Sequence, residues 1–225
     1  MQRQMCIRDR IIIIPLLAQL KIQSSYNRYK RVENSKKKSG FEVAREILDK
    51  NGLEDIYIVE IKGELTDHYD PTKKVVRLST DIFQGETIAA AAVAAHECGH
   101  AIQDKESYMF LKIRSAIYPV VNVATSISYY IILIGFLMQA FQLIYLGIAL
   151  TCCGLLFQVV TLPVEFDASR RALEKLQDYK IVDNSEFAGA KEVLTAAALT
   201  YVAGVLASML QIFRLILAAK DREDR

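Results

Sequence analysis

His96, Glu97 and His100 stand in the run Val93-Ala-Ala-His-Glu-Cys-Gly-His-Ala-Ile-Gln103, and two of the three histidines of the chain are here. Residues 86–103 are alanine-rich, which favours a helix. In a helix, side chains four apart lie one above the other, so the two imidazoles can chelate one metal ion. Glu97, one position along, then stands beside the open coordination position rather than in it. This is the H-E-x-x-H arrangement, in which two imidazoles hold zinc and the glutamate takes a proton from the zinc-bound water, whose pKa falls to about 7. Gly99 and Ala101 leave room for a close neighbour against the helix. The alternative is a packed or surface helix that carries two histidines by chance.

A catalytic zinc of this kind wants a third protein ligand and keeps one position for water. Residues 115–164 contain no Asp, Glu, Lys, Arg or His. One helix of that length would reach roughly 75 Å, over twice the bilayer core, so the run predicts two spans folded back as a hairpin. The turn is expected near Met138-Gln-Ala-Phe-Gln142. A chain that leaves at Ser115 and returns at Val164 comes back to the side that carries His96 and His100. The first charged residue on return is Glu165, which is therefore the expected third ligand, placed at the membrane surface, where a charge is less costly than in the centre. Asp167 is a weaker candidate. Otherwise both acids simply complement a helix dipole after Pro163. Residues 193–213 form a third uncharged run long enough to cross a membrane.

The start of the chain reads differently. Met5-Cys-Ile-Arg-Asp-Arg10 resembles a translated sequencing-adapter end, so residues 1–10 are expected to be non-native. The apolar run Ile11 to Leu20 is too short to span a bilayer and lacks a signal-peptide cleavage site. It is expected to be the remainder of a truncated first membrane helix, over 11–25, and resequencing the source locus tests this. Basic residues are dense between Lys21 and Arg114, Lys36-Lys-Lys38 among them, and recur from Arg170 to Lys191, whereas the hairpin turn has none. By the positive-inside rule the histidine region faces the cytosol and the turn lies outside. The basic run is otherwise a solvated segment, resting on anionic lipid at most.

Between these landmarks, Phe41 to Asn51 reads as a short amphipathic helix with Gly52 at its C-terminal end. Ile56-Tyr-Ile-Val-Glu-Ile61 and Lys74-Val-Val-Arg-Leu78 read as two strands of a small antiparallel sheet, separated by Gly63 and a turn at Asp67-His-Tyr-Asp-Pro71. A sheet edge beside the metal helix would give an extended peptide somewhere to pair, or would merely cover the helix. Ser79 or Thr80 is expected to cap the turn into the histidine helix, with Asp81 at its positive end.

The remaining polar candidates carry less. His68 could bind substrate or stabilise an oxyanion, though a turn histidine bonded to backbone is commoner. Arg170, Arg171 and Tyr201 could donate to a transition state, though snorkelling or packing is the safer reading for each. The four cysteines lack disulfide or zinc-site spacing, and Cys98 points away from the metal face. The net charge of +2 gives nucleic acid no electrostatic footing.

Five segments in order resemble the YugP-type neutral zinc metallopeptidases of bacterial membranes: Leu65-Thr-Asp-His-Tyr-Asp-Pro71, Val75-Val-Arg-Leu-Ser79, His96-Glu-Cys-Gly-His-Ala-Ile-Gln103, Leu162-Pro-Val-Glu-Phe-Asp-Ala-Ser-Arg-Arg-Ala-Leu173 and Ala196-Ala-Ala-Leu-Thr-Tyr-Val202. The likeness runs from about Ile11 onward. It implies a membrane-embedded zinc peptidase with a gluzincin-like site, and it supports the truncated first helix. The family pattern has Asn at position 167, which argues against Asp167 as a ligand. More distantly the site is similar to that of HtpX-type and CAAX prenyl proteases, where Glu-Phe-x-Ala-Asp supplies the third ligand; the last position of that pattern is Ser169 here.

The expectation is thus a mainly α, multi-span helical membrane protein with a small α+β zincin-like cytosolic subdomain. Residues 26–114 form that zincin-like region, 115–164 the hairpin, 165–191 a cytosolic helix carrying the third ligand, 192–219 the last membrane helix and 220–225 a tail. Its function would be zinc-assisted hydrolysis of peptide or membrane-protein substrates at the inner face of the plasma membrane. One zinc ion is held by His96, His100 and Glu165, and Glu97 is the general base. The competing expectation is a non-catalytic scaffold or assembly factor in which zinc only stabilises the fold. Transport through the spans has no internal charge to support it beyond Arg214 near one end.

Overall fold

A computed structural model describes residues 2–223. Met1 and the side chains of residues 2–10 lie outside that description, and the expected adapter-derived start lies there with them. Seven helices and one three-stranded sheet follow in the order α1 (Gln2–Tyr29), α2 (Gly40–Lys50), β1 (Tyr57–Ile61), β2 (His68–Asp70), β3 (Val75–Ser79), α3 (Thr80–Gln84), α4 (Ile88–Lys105), α5 (Met109–Leu137), α6 (Phe141–Asp178) and α7 (Asn184–Glu223). The protein is mainly helical, and α5, α6 and α7 are long and apolar enough to cross a membrane.

The chain divides into two compact units. The first holds Met1–Gln19, Lys112–Leu162 and Thr200–Arg225. Within it the chain reverses over residues 138–140, between α5 and α6. Gly135 lets the two helices close up, since a Cβ there would meet Ile144 N at 2.9 Å. Ser208 of α7 donates to Gln158 of α6 at 3.0 Å, and Tyr145 Oη donates to Glu223 at 2.8 Å. The C-terminal end of α7 therefore lies beside the start of α6, at the turn end of this unit.

The second unit, Leu20–Leu111 with Pro163–Leu199, contains the histidines. In it, α2 is set by a reciprocal cap: Ser39 accepts from the Glu42 N–H while Glu42 accepts from the Ser39 N–H. Its buried face, Val43, Ala44, Ile47 and Leu48, joins the main core. Asn51 is the C-cap, and Gly52 follows with φ +64, the left-handed position glycine accepts without strain. The same core encloses Ala89 to Ala92, Ala94, Ala95, Cys98, Ala101 and Ile102 of α4. Small side chains all round α4 let neighbours approach from every direction, which is why a helix this short is buried on nearly all sides.

The sheet corrects the expected antiparallel pairing of two strands. Its order is β1-β3-β2, with β1 parallel to β3 and β2 antiparallel to β3. The segment read as a turn contains a strand, His68–Asp70. Residues 71–74 join it to β3 as a hairpin, so β3 spends one edge on its sequence neighbour. The other edge receives β1: residues 62–67 carry the chain from β1 past the place of β3 to β2, and the hairpin then reverses it again, so β3 returns between them parallel to β1. Ser79 is the N-cap of the turn that precedes α4, the five-residue α3, with Asp81 in its first turn, though it does not cap through its side chain. Its hydroxyl is bonded to Asp67, and α4 is capped by Thr87, which accepts from the Ala90 N–H at 3.2 Å.

Candidate metal centre

Helical periodicity puts the rings of His96 and His100 on one face of α4, their centroids 4.8 Å apart at 82°. Glu165 of α6 meets that face. Its Oε2 lies 3.3 Å from His96 Nε2 and 3.7 Å from His100 Nε2. One donor atom from each of the three residues falls within 4.8 Å of the others. Donors around one tetrahedral zinc, with bonds of about 2.0–2.2 Å, stand about 3.4 Å apart, so this constellation has the size and the N,N,O chemistry to hold that ion. Glu165 is 3% exposed and His100 8%; a carboxylate so deeply placed needs a cation or a donor beside it.

The far side of each ring is occupied. Gln103, fully buried, donates through Nε2 to Val164 O at 2.8 Å and to Asp167 Oδ2 at 2.9 Å. Both partners only accept, which fixes the amide orientation and leaves Gln103 Oε1 facing His100 Nδ1 at 3.1 Å. His100 then donates from Nδ1 to Gln103, which leaves Nε2 as the ring nitrogen directed at Glu165. Ser169 Oγ sits 3.2 Å from His96 Nδ1 and can hold the same tautomer there. Gln103 and Ser169 had no assigned role in the sequence. The available signal was spacing: Gln103 follows His100 by three residues, and Ser169 follows Glu165 by four.

Glu97 is 7% exposed. Burial pushes its carboxyl up to about 7; nearby Glu165 and Asp67 add to the rise, while His96 and the main-chain N–H of Tyr69 oppose it. A carboxylate with that affinity for protons is suited to accept one near neutral pH.

The other candidates are placed elsewhere. Asp167 accepts from Gln103, Arg170 and Arg171 and so backs the His100 ring through Gln103. Arg170 is further paired with Glu174, and Arg171 with Glu106. His68 has its Nδ1 on Thr66 O at 2.8 Å, the local backbone contact expected of such a residue. Tyr201 belongs to the other unit.

The chain matches, over residues 5–220, the family described as "Putative neutral zinc metallopeptidase". It is 46% identical over 207 residues to the "Putative membrane protease YugP" of Bacillus subtilis (strain 168), a likeness that covers 92% of each chain. No solved structure matches it.

Proposed function

The chain belongs to this zinc metallopeptidase family, and from that premise we propose that it is a membrane-embedded endopeptidase whose site is His96, His100, Glu165 and Glu97. The observation that carries the reading is the convergence of His96 Nε2, His100 Nε2 and Glu165 Oε2, with Glu97 next in sequence to one of the rings. These three atoms would hold one zinc ion. Bound there, zinc supplies Lewis acidity, which polarises a peptide carbonyl and makes water acidic enough to lose a proton near neutral pH.

The protein side of the reaction follows from the surroundings of each group. Glu97 accepts the proton of the attacking water on its carboxylate and returns it to the leaving amine. Its burial strengthens it as a base. Gln103 and Ser169 hold the two rings in the tautomer that directs Nε2 to the shared point. β2 is an edge strand of the sheet, and the N–H of Tyr69 in it is directed at Glu97. An extended peptide pairing along that edge would have its main chain beside the base.

The distribution of basic residues supports a site on the cytosolic face of the plasma membrane and an α5–α6 turn outside. The C-terminal end of α7, bonded to Tyr145 near that turn, goes outside with it. The test is quantitative proteomics of membranes from cells carrying the wild-type chain or Glu97→Gln. Peptide termini that depend on Glu97 support the peptidase and name its substrates. Identical termini in the two strains, with zinc still bound to the variant, favour the scaffold.

A further inference from the structure

Asp104 lies seven residues after Glu97 on α4, two turns on and on the same face. Tyr69, the middle residue of β2, faces both. Its main-chain N–H is directed at Glu97, and its hydroxyl donates to Asp104 Oδ2 at 2.8 Å. Asp104 Oδ2 also takes Lys74 Nζ at 2.5 Å. Lys74 stands in the β2–β3 connection with φ +51. One carboxylate of the metal helix thus grips the hairpin at its strand and at its turn.

β2 needs such a grip. It has three residues, paired on one side only, through His68↔Arg77, Tyr69↔Val76 and Asp70↔Val75. A strand this short, with one neighbour, is held weakly by the sheet. The phenol is buried against the main core, and Tyr69 and Asp104 together border a cavity of about 250 Å³, lined also by Ile56, Lys74 and Ala101. The hydrogen bond to Asp104 adds direction to that packing and sets where the hydroxyl end of the ring sits. Burial and the neighbouring Asp104 both raise the phenol pKa, so the hydroxyl stays a donor across the working pH range.

We propose that Asp104 is a positioning residue for the peptide: through the Tyr69 hydroxyl it fixes the free edge of β2 against α4, so that a peptide paired along this edge lies in register with Glu97. Asp104 touches neither the peptide nor the reacting atoms. The inference rests on the peptidase reading given above.

The test uses the full chain in detergent. A proteome-derived peptide library is digested by the wild type and by Glu97→Gln, and a peptide cut only by the wild type becomes the probe. Its kcat and KM are measured for wild type, Tyr69→Phe, Asp104→Ala and Asp104→Asn, with zinc content determined for each. Tyr69→Phe and Asp104→Ala are expected to retain zinc and to lose about tenfold in kcat/KM, the worth of the one hydrogen bond that holds the strand in place. Asp104→Asn still accepts from the Tyr69 hydroxyl and is expected to recover most of that loss.

The probe is then remade with single N-methyl groups on its main chain. The methyl that blocks pairing with β2 should cost the wild type about fivefold, one main-chain hydrogen bond, and cost Tyr69→Phe and Asp104→Ala clearly less. Equal N-methyl penalties in all variants would show a merely structural tie and overturn the proposal. So would Asp104→Asn as impaired as Asp104→Ala, or unchanged kcat/KM throughout. A library with no Glu97-dependent cut defeats the peptidase reading itself, a result separable from these.

Discussion

A Cβ placed on Gly99 would meet the carbonyl oxygen of Ala168 at 2.6 Å and its carbonyl carbon at 3.2 Å. Backbone therefore touches backbone where α4 crosses α6, between His96 and His100 on one helix and between Glu165 and Ser169 on the other. The glycine is needed for its lack of a side chain, since it sits inside a regular helix. The closeness it permits is what lets one short carboxylate reach both rings.

Gly99→Ala should therefore push α6 away from α4 and spoil the metal site before it unfolds the protein. Overpacking of this kind costs about 1–3 kcal/mol. Elemental analysis of the purified variant is expected to show substoichiometric zinc, with helical circular dichroism retained. Full zinc occupancy in Gly99→Ala would mean that the contact is slack.

Glu97→Gln keeps the shape of the side chain and removes its ability to take a proton. Turnover on a cleavable peptide should fall by roughly 10²–10⁴, the range for loss of a general base, with zinc content unchanged. Retained turnover in the variant would remove Glu97 from the mechanism.

Loss of a direct donor should act on the metal itself. His96→Ala, His100→Ala and Glu165→Ala each leave two of the three clustered donors, and zinc content after dialysis should drop in all three. In the wild type a chelator should abolish cleavage, and added zinc should restore it. Cleavage that persists in zinc-depleted protein is the contrary outcome.

Gln103→Leu and Ser169→Ala touch no metal-facing atom, yet each frees one Nδ1. Partners of this kind are worth about 10–100-fold in metal affinity. Competition with a zinc-binding dye should show the larger loss for Gln103→Leu, because Gln103 is fully buried and its removal also takes one donor each from Asp167 and the Val164 carbonyl. Ser169 has only the one contact to lose.

Local sequence determined what local geometry can determine. Four residues of helix set His96 over His100, with Glu97 beside them, whatever the rest of the chain does. The uncharged runs predicted three apolar helices because the length of a bilayer is a one-dimensional constraint. The return of the second of these runs pointed to Glu165 by topology alone, and its carboxylate does lie beside both rings.

What tertiary structure decided is which distant groups share a surface. β2 has three mostly polar residues and no alternation to betray it, so it became a strand only because β3 offered an edge. The parallel pairing of β1 with β3 depends on a connection whose path no propensity encodes. Gln103, Ser169, Tyr69 and Asp104 are common polar residues, and their roles come from single hydrogen bonds across elements 35 to 73 positions apart or to a neighbouring ring. Periodicity orders side chains along one helix; the partner that each one meets exists only after the elements have packed.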